Sequence, residues 1–300
     1  MDHAVERAVA YMRERCGEPL TLAEIAESAL LSRFYFTRVF KAETGLTPGR
    51  FLAAVRMHEA KRLIESTSMS ITEISLAIGY NSLGSFTKSF TASVGVSPGR
   101  FRRLSRDGRQ GLPEPAVWPG GGTVAGTISL PEGHGNARVY LGAFRTAVVQ
   151  HAPLAWTVVD VPSGRPSCYS LKNVPGGSWH LLAVAQAAGV GPDARAGRTV
   201  LVGGHGRPAV TVAADGVTSV AVRLRPVRPA DPPVLLALPA LDPPATVTAR
   251  PGCASVTPAA GGAAGGRAAG GRAAGGRAAG GRAAGGHLRL ASAAPARSRP

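Results

Sequence analysis

Ser32-Arg33-Phe34-Tyr35-Phe36-Thr37-Arg38-Val39-Phe40-Lys41, running on to Thr44-Gly45-Leu46-Thr47-Pro48-Gly49-Arg50-Phe51, decides how this chain folds, because it occurs twice. It returns fifty residues later as Ser82-Leu83-Gly84-Ser85-Phe86-Thr87-Lys88-Ser89-Phe90, followed by Val94-Gly95-Val96-Ser97-Pro98-Gly99-Arg100-Phe101. A register held over twenty positions marks a duplicated structural unit. Phe36, Val39 and Phe40 are spaced i, i+3, i+4 and share a helix face, which predicts core. Phe34, Thr37, Arg38 and Lys41 share another face. The second copy places Phe86 and Phe90 inward, with Gly84, Thr87, Lys88 and Thr91 outward. Ser32 and Ser82 suit N-caps. Gly45 and Gly95 stand where a glycine ends a helix, and Thr47-Pro48 and Ser97-Pro98 open the next one.

A shorter helix is expected before each copy. Thr21-Leu22-Ala23-Glu24 and Ser70-Ile71-Thr72-Glu73 are both capping boxes. Leu22, Ile25, Ala26 and Ala29 form the apolar stripe of one helix, and Ile71, Ile74 and Ile78 that of the other. Two short helices, a tight turn and a polar-faced second helix make a helix-turn-helix, whose second helix enters a DNA major groove. Between the two units, Pro48 to Ser66 reads as one helix, roughly 28 Å long at about 1.5 Å per residue. That is close to one turn of DNA, roughly 34 Å. Residues 2–16 predict a first helix with Val5, Val9 and Met12 inward and Gly17 at its end.

Residues 4–103 resemble the DNA-binding domain of AraC/XylS-type transcription regulators. The resemblance rests on Ile71-Thr72-Glu73-Ile74-Ser75-Leu76-Ala77-Ile78-Gly79-Tyr80, on Phe86-Thr87-Lys88-Ser89-Phe90, and on Gly95-Val96-Ser97-Pro98-Gly99-Arg100-Phe101-Arg102. Ser75 replaces the family's usual alanine and Tyr80 its usual phenylalanine. The resemblance implies an all-α domain of two helix-turn-helix units joined by a long helix. It also implies double-stranded DNA as partner, with base contacts from Phe34, Thr37 and Arg38 in the first unit and from Leu83, Gly84, Thr87 and Lys88 in the second. Arg38 has the fork for guanine O6 and N7. Lys88 stands where the family often has arginine, and a point charge discriminates less. Arg33, Lys41, Arg100, Arg102 and Arg103 are the expected phosphate contacts, with the helix starts at Pro48 and Pro98.

Charge alone would not lead to DNA. The net charge is +16, but residues 1–107 carry only +4, residues 108–260 carry +5 and residues 261–300 carry +7. The three cysteines, Cys16, Cys168 and Cys253, are far apart and show no disulfide framework or zinc spacing, so they are expected as inert thiols in a reducing compartment. No segment resembles a signal peptide, and no apolar run has the length of a membrane helix, so no membrane association is expected. The expected location is cytoplasmic, on the nucleoid.

Asp107 to Gly122 is rich in glycine and proline and reads as a linker. Residues 123–228 alternate short β-branched runs with Gly, Pro and Asp turns, which predicts a β-sandwich acting as a sensor or interaction domain. Tyr169-Ser170-Leu171-Lys172-Asn173-Val174-Pro175-Gly176-Gly177-Ser178-Trp179 is similar to the crossing segment of transthyretin-like, carboxypeptidase-regulatory sandwiches. Residues 229–260 are proline-rich, with Val234–Leu241 readable as a last strand. Residues 261–300 repeat Gly-Gly-Arg-Ala-Ala and are expected to be disordered.

The β half shows no nucleophile elbow, no H-E-x-x-H and scattered histidines, so no catalytic residues, cofactor or metal site are expected. The chain therefore reads as a sequence-specific DNA-binding transcription regulator, with a small-molecule effector or protein partner at the β domain. Two alternatives are a non-specific, charge-driven architectural DNA binder and an enzyme in the β half addressed to DNA.

Overall fold

Thr21 and Ser70 do at atomic distance what their spacing to Glu24 and Glu73 requires. Each hydroxyl accepts the backbone N–H three residues on, at 3.3 and 3.2 Å, and each glutamate accepts the cap's own N–H at 2.7 Å. Those backbone bonds hold both carboxyls below their ordinary range. The computed structural model describes residues 2–107, 120–191, 197–204, 209–238 and 240–248. Most of the expected linker, the last part of the proline-rich segment and the whole arginine-repeat tail lie outside the described residues.

Seven helices are described: α1 Asp2–Glu14, α2 Leu22–Ser28, α3 Arg33–Thr44, α4 Pro48–Ser66, α5 Ile71–Ala77, α6 Leu83–Val94 and α7 Pro98–Asp107. Gly45 and Gly95 end α3 and α6 in the left-handed conformation. α4 is the strut against which α1, α3, α5, α6 and α7 pack. The duplication reaches into the core. Phe36, Phe40 and Phe51 form one chain of ring contacts, at 5.2 and 5.3 Å, and Phe86, Phe90 and Phe101 repeat it at 5.5 and 5.7 Å. All six rings are fully buried. Of the expected apolar stripes, only Leu22 is turned largely to solvent.

The β region holds nine strands: β1 Gly122–Ser129, β2 Ala137–Phe144, β3 Ala155–Val161, β4 Ser167–Val174, β5 Gly177–Ala187, β6 Thr199–Gly204, β7 Val210–Val212, β8 Val217–Ser219 and β9 Val222–Pro226. The expected sandwich of two sheets is here one continuous path, β3-β2-β5-β6-β9-β1-β4, so the region is a near-barrel. The reason is local. β3 and β4 lie at opposite ends of the path yet follow one another in the chain, and Ser167 donates to the Asp160 carbonyl at 2.9 Å, which brings the two ends together. β9 and β1 pair in parallel, Ile128 opposite Val222. The expected strand Thr218–Leu224 is split at Val220, which leaves the ladder to donate to Ala125 O at 2.9 Å.

Tyr169 anchors the crossing segment from below, its hydroxyl donating to Val220 O at 2.9 Å. Trp179 Nε1 donates to Pro175 O at 2.6 Å across the turn. Between them the chain passes from β4, paired with β1, to β5, paired with β2 and β6. Cys168, expected from sequence to be an inert thiol, is instead disulfide-bonded, because far spacing along the chain does not prevent two sulfurs from meeting in the fold.

Alternation along the strands makes two apolar layers. Val139, Leu141, Leu171, Leu201 and Leu224 point into the near-barrel. Tyr140, Phe144 and Val184 point outward and are covered by Val234, Leu236, Leu238 and Leu241. That covering segment is no strand, contrary to the reading of Val234–Leu241. Its amides reach sideways instead: Leu235 and Leu236 donate to Val149 O at 2.8 and 3.0 Å, and Ala237 donates to Val94 O at 3.0 Å, at the end of α6. Val148, Leu235 and Ala237 thereby join the buried cluster of the helical region. This strap, together with His151, whose N–H donates to Ser93 O at 2.9 Å, docks the β region on the helices.

Candidate nucleic-acid interface

An apolar residue costs free energy in water, so a large exposed one needs a reason when it sits among polar neighbours. Phe34, the second residue of α3, is 88% exposed, and Leu83, the first residue of α6, is 43% exposed. In the register of the repeat Phe34 corresponds to Gly84 and Leu83 to Arg33, so the two helices present an exposed apolar residue in the same turn but one position apart. On α3 the face continues through Thr37 and Arg38; on α6 it continues through Gly84, Thr87 and Lys88. The buried rings of Phe36, Phe40, Phe86 and Phe90 lie on the opposite sides and fix how each helix is rotated.

The polar members differ in how they are held. Thr37 Oγ1 donates to Arg33 O at 2.8 Å, one turn back in the helix. The Arg38 guanidinium lies 5.4 Å from the centre of the Tyr35 ring, so its fork is oriented before any ligand arrives. Lys88 is exposed and lacks such a ring. At Gly84 an added Cβ would meet nothing within 4 Å, so the surface there is open to a close-lying partner.

Among the expected phosphate contacts, Arg33, Lys41, Arg100 and Arg103 are exposed. Arg102 is turned inward: it is half-buried, and its Nη2 donates to Met69 O at 2.6 Å, tying α7 to the loop before α5. Periodicity cannot tell which arginine of a basic helix will find a buried carbonyl. The sequence reading passed over Arg50, which is exposed on the first turn of α4. The signal was available, because Pro48-Gly49-Arg50-Phe51 and Pro98-Gly99-Arg100-Phe101 are the same four residues in both copies.

The turns before the two faces are unequal. The first contains Leu30 at φ +57 and the second Gly79 at φ +81, the same left-handed place nine residues after each capping Ser/Thr. Leucine is strained there and glycine is not.

No helix of the described residues is long and apolar enough to cross a membrane. Among those residues no group of three or more His, Cys, Asp or Glu is arranged to hold a metal ion.

The sequence profile of a family described as "Helix-turn-helix domain" matches residues 25–104. An uncharacterised HTH-type transcriptional regulator of Bacillus subtilis is 35% identical over 80 residues, which is 27% of this chain and 33% of that protein. The melibiose operon regulatory protein of Escherichia coli is 30% identical over 109 residues, 36% of each chain. Among solved structures, an AraC-type transcriptional regulator from Chromobacterium violaceum aligns with a TM-score of 0.34 and 29% identity, over 35% of this chain and 93% of that one. This chain spans about a third of the length of the curated relatives it matches. Residues 25–104 are an AraC-type helix-turn-helix domain.

Proposed function

We propose that the protein is a sequence-specific DNA-binding transcription regulator that sets α3 and α6 into successive major-groove segments. In this reading α2–α3 and α5–α6 are two helix-turn-helix units and α4 is the spacer between them. The observation that carries it is the doubled face: Phe34, Thr37 and Arg38 on one helix, Leu83, Gly84, Thr87 and Lys88 on the other, each backed by a matching row of three buried rings in tilted and edge contact. Arg33, Lys41, Arg50, Arg100 and Arg103 supply phosphate contacts, and Arg102 braces the fold. Residues 1–106 form the DNA-binding region and residues 123–228 a sensing region held to it by the strap. The docking bonds fall on Ser93 O and Val94 O, at the far end of α6 from Leu83, so the reading faces stay clear.

Selection of bound fragments from genomic DNA, followed by titration of the selected site at two salt concentrations, tests this. Arg38→Ala is expected to cost about 1–3 kcal/mol at one base pair and to relax preference there. Lys88→Ala is expected to weaken binding evenly across sequences and to lower the salt slope by about one unit. Inserting about five base pairs between the half-sites turns one of them to the opposite face of the duplex, and affinity is expected to fall to the non-specific level. Equal, sequence-independent losses in both variants, with tolerance of the insertion, would point to the architectural binder instead.

A further inference from the structure

A cavity of about 360 Å³ lies where the outer face of the sheet, the strap and the end of α3 meet. That volume falls within the range of small-molecule sites, roughly 300–1,000 Å³. Its floor follows from strand register. Leu182 on β5 faces Gly204 on β6, which faces Arg223 on β9; the next row is Val184, Val202 and Arg225. Gly204 therefore leaves a gap between an aliphatic side chain and a guanidinium. No other residue fits there, because a Cβ on Gly204 would fall 2.3 Å from Leu181 O. Val149 and Val234 close the apolar side, Glu43 and Thr44, on the last turn of α3, form another wall, and His180 and Asp231 complete the polar lining.

The two arginines are not equivalent. Arg225 is spent on Asp231 through a bidentate pair, both bonds 2.6 Å. Arg223 lines the same cavity, and its guanidinium has no hydrogen bond or ion pair with any described residue. A guanidinium without a partner among the described residues, beside the aliphatic side chains of Leu182, Val202, Val149 and Val234, is half of a recognition site for an amphipathic anion.

We infer that this cavity binds a small molecule with an apolar body and one carboxylate, the carboxylate taken by Arg223 and the body lying over Gly204 against Leu182 and Val202. Occupancy reaches the DNA-reading surface through Thr44, whose hydroxyl donates to Phe40 O at 2.8 Å inside α3. A ligand bridging β9 and α3 would thus bias how α3 is held. This regulatory half rests on the DNA-binding reading above; the binding half does not.

The test uses the full chain without DNA and three probes: benzoate, hexanoate and indole-3-carboxylate. Isothermal titration is expected to give saturable binding of at least one. That probe should bind roughly tenfold or more weakly to Arg223→Gln, which loses a charge-assisted hydrogen bond at an exposed position. Val202→Phe, which fills the floor, should abolish binding, and benzyl alcohol should not compete with benzoate. Absence of saturable binding by all three carboxylates, or equal binding to Arg223→Gln, overturns the site. A second titration, of the selected DNA with and without the bound probe, is expected to show an affinity change of about fivefold or more in the wild type and none in Arg223→Gln. Binding of the carboxylate with no effect on DNA affinity overturns the regulatory half. Failure of the unliganded protein to select any DNA refutes the DNA-binding reading, while the first titration still decides the site.

Discussion

The two copies of the helical unit share a core and differ at their edges. Their aromatic contacts correspond residue for residue, Phe36-Phe40-Phe51 to Phe86-Phe90-Phe101, and both first helices open on a capping box. The differences lie in the turn, the cap and the attachments. The first unit has Leu30 in a left-handed turn and Ser32 without a side-chain cap bond; the second has Gly79, and Ser82 accepts from Ser85 N at 3.2 Å. The β region bonds directly to the end of α6, whereas the end of α3 forms a cavity wall. The repeat is kept where side chains pack and departs from itself at the turn, the cap and the attachments of each unit.

The most severe test of the shared core is Phe40→Ala beside Phe90→Ala. Each removes the middle ring of its stack and is expected to cost about 3–5 kcal/mol in denaturant unfolding. A difference above about 2 kcal/mol between them would show that the two stacks do not carry equal weight.

The clamp on the second unit can be probed by pH. Lys61, on α4, donates to Val234 O and Leu236 O of the strap at 3.4 and 3.3 Å and lies 5.7 Å from the Phe101 ring. Burial pushes its ammonium down to about 8, Glu65 working weakly the other way. The folded value is below the unfolded one, so the folded state gives up this proton first, and stability is expected to rise as pH goes from about 8 to about 10.5. The gain is on the order of 3 kcal/mol. Lys61→Met should remove that part of the slope; an unchanged slope would mean that the lysine is not buried by the strap in solution.

Smaller effects separate the turns and caps. Leu30→Gly is expected to stabilise by about 1 kcal/mol through relief of the left-handed strain. Gly79→Ala should destabilise, because its Cβ would also fall 2.8 Å from Gly17 O. Thermal melts of both decide whether the inequality of the turns is real. Smallest of all, Ser82→Ala should cost about 1 kcal/mol and Ser32→Ala a few tenths, since only Ser82 makes the capping bond. Equal losses would mean that Ser32 caps its helix in solution.

What the residues disclosed follows the range of the interactions involved. Helix ends were legible because Thr21, Ser70, Gly45 and Gly95 act within four residues of themselves. The exposed faces of α3 and α6 were legible because the buried phenylalanines set helix rotation. The near-barrel was not, because the parallel pairing of β1 with β9 joins residues almost a hundred positions apart and leaves no periodic trace. Val234–Leu241 has the apolar content of a strand, yet its hydrogen bonds go to a loop and a helix end, which composition does not specify. The inward turn of Arg102 was invisible for the same reason, since its acceptor Met69 O is thirty-three residues away.

The strap also sets a timetable. Val94 leaves the ribosome roughly 140 residues before Ala237, whose amide binds its carbonyl. At roughly 5–20 residues per second, the helical region waits on the order of ten seconds or more with its Val148, Leu235 and Ala237 sites unfilled. In that interval the nascent chain presents an apolar landing place that the strap will later cover, and anything that slows translation between the two points lengthens the exposure.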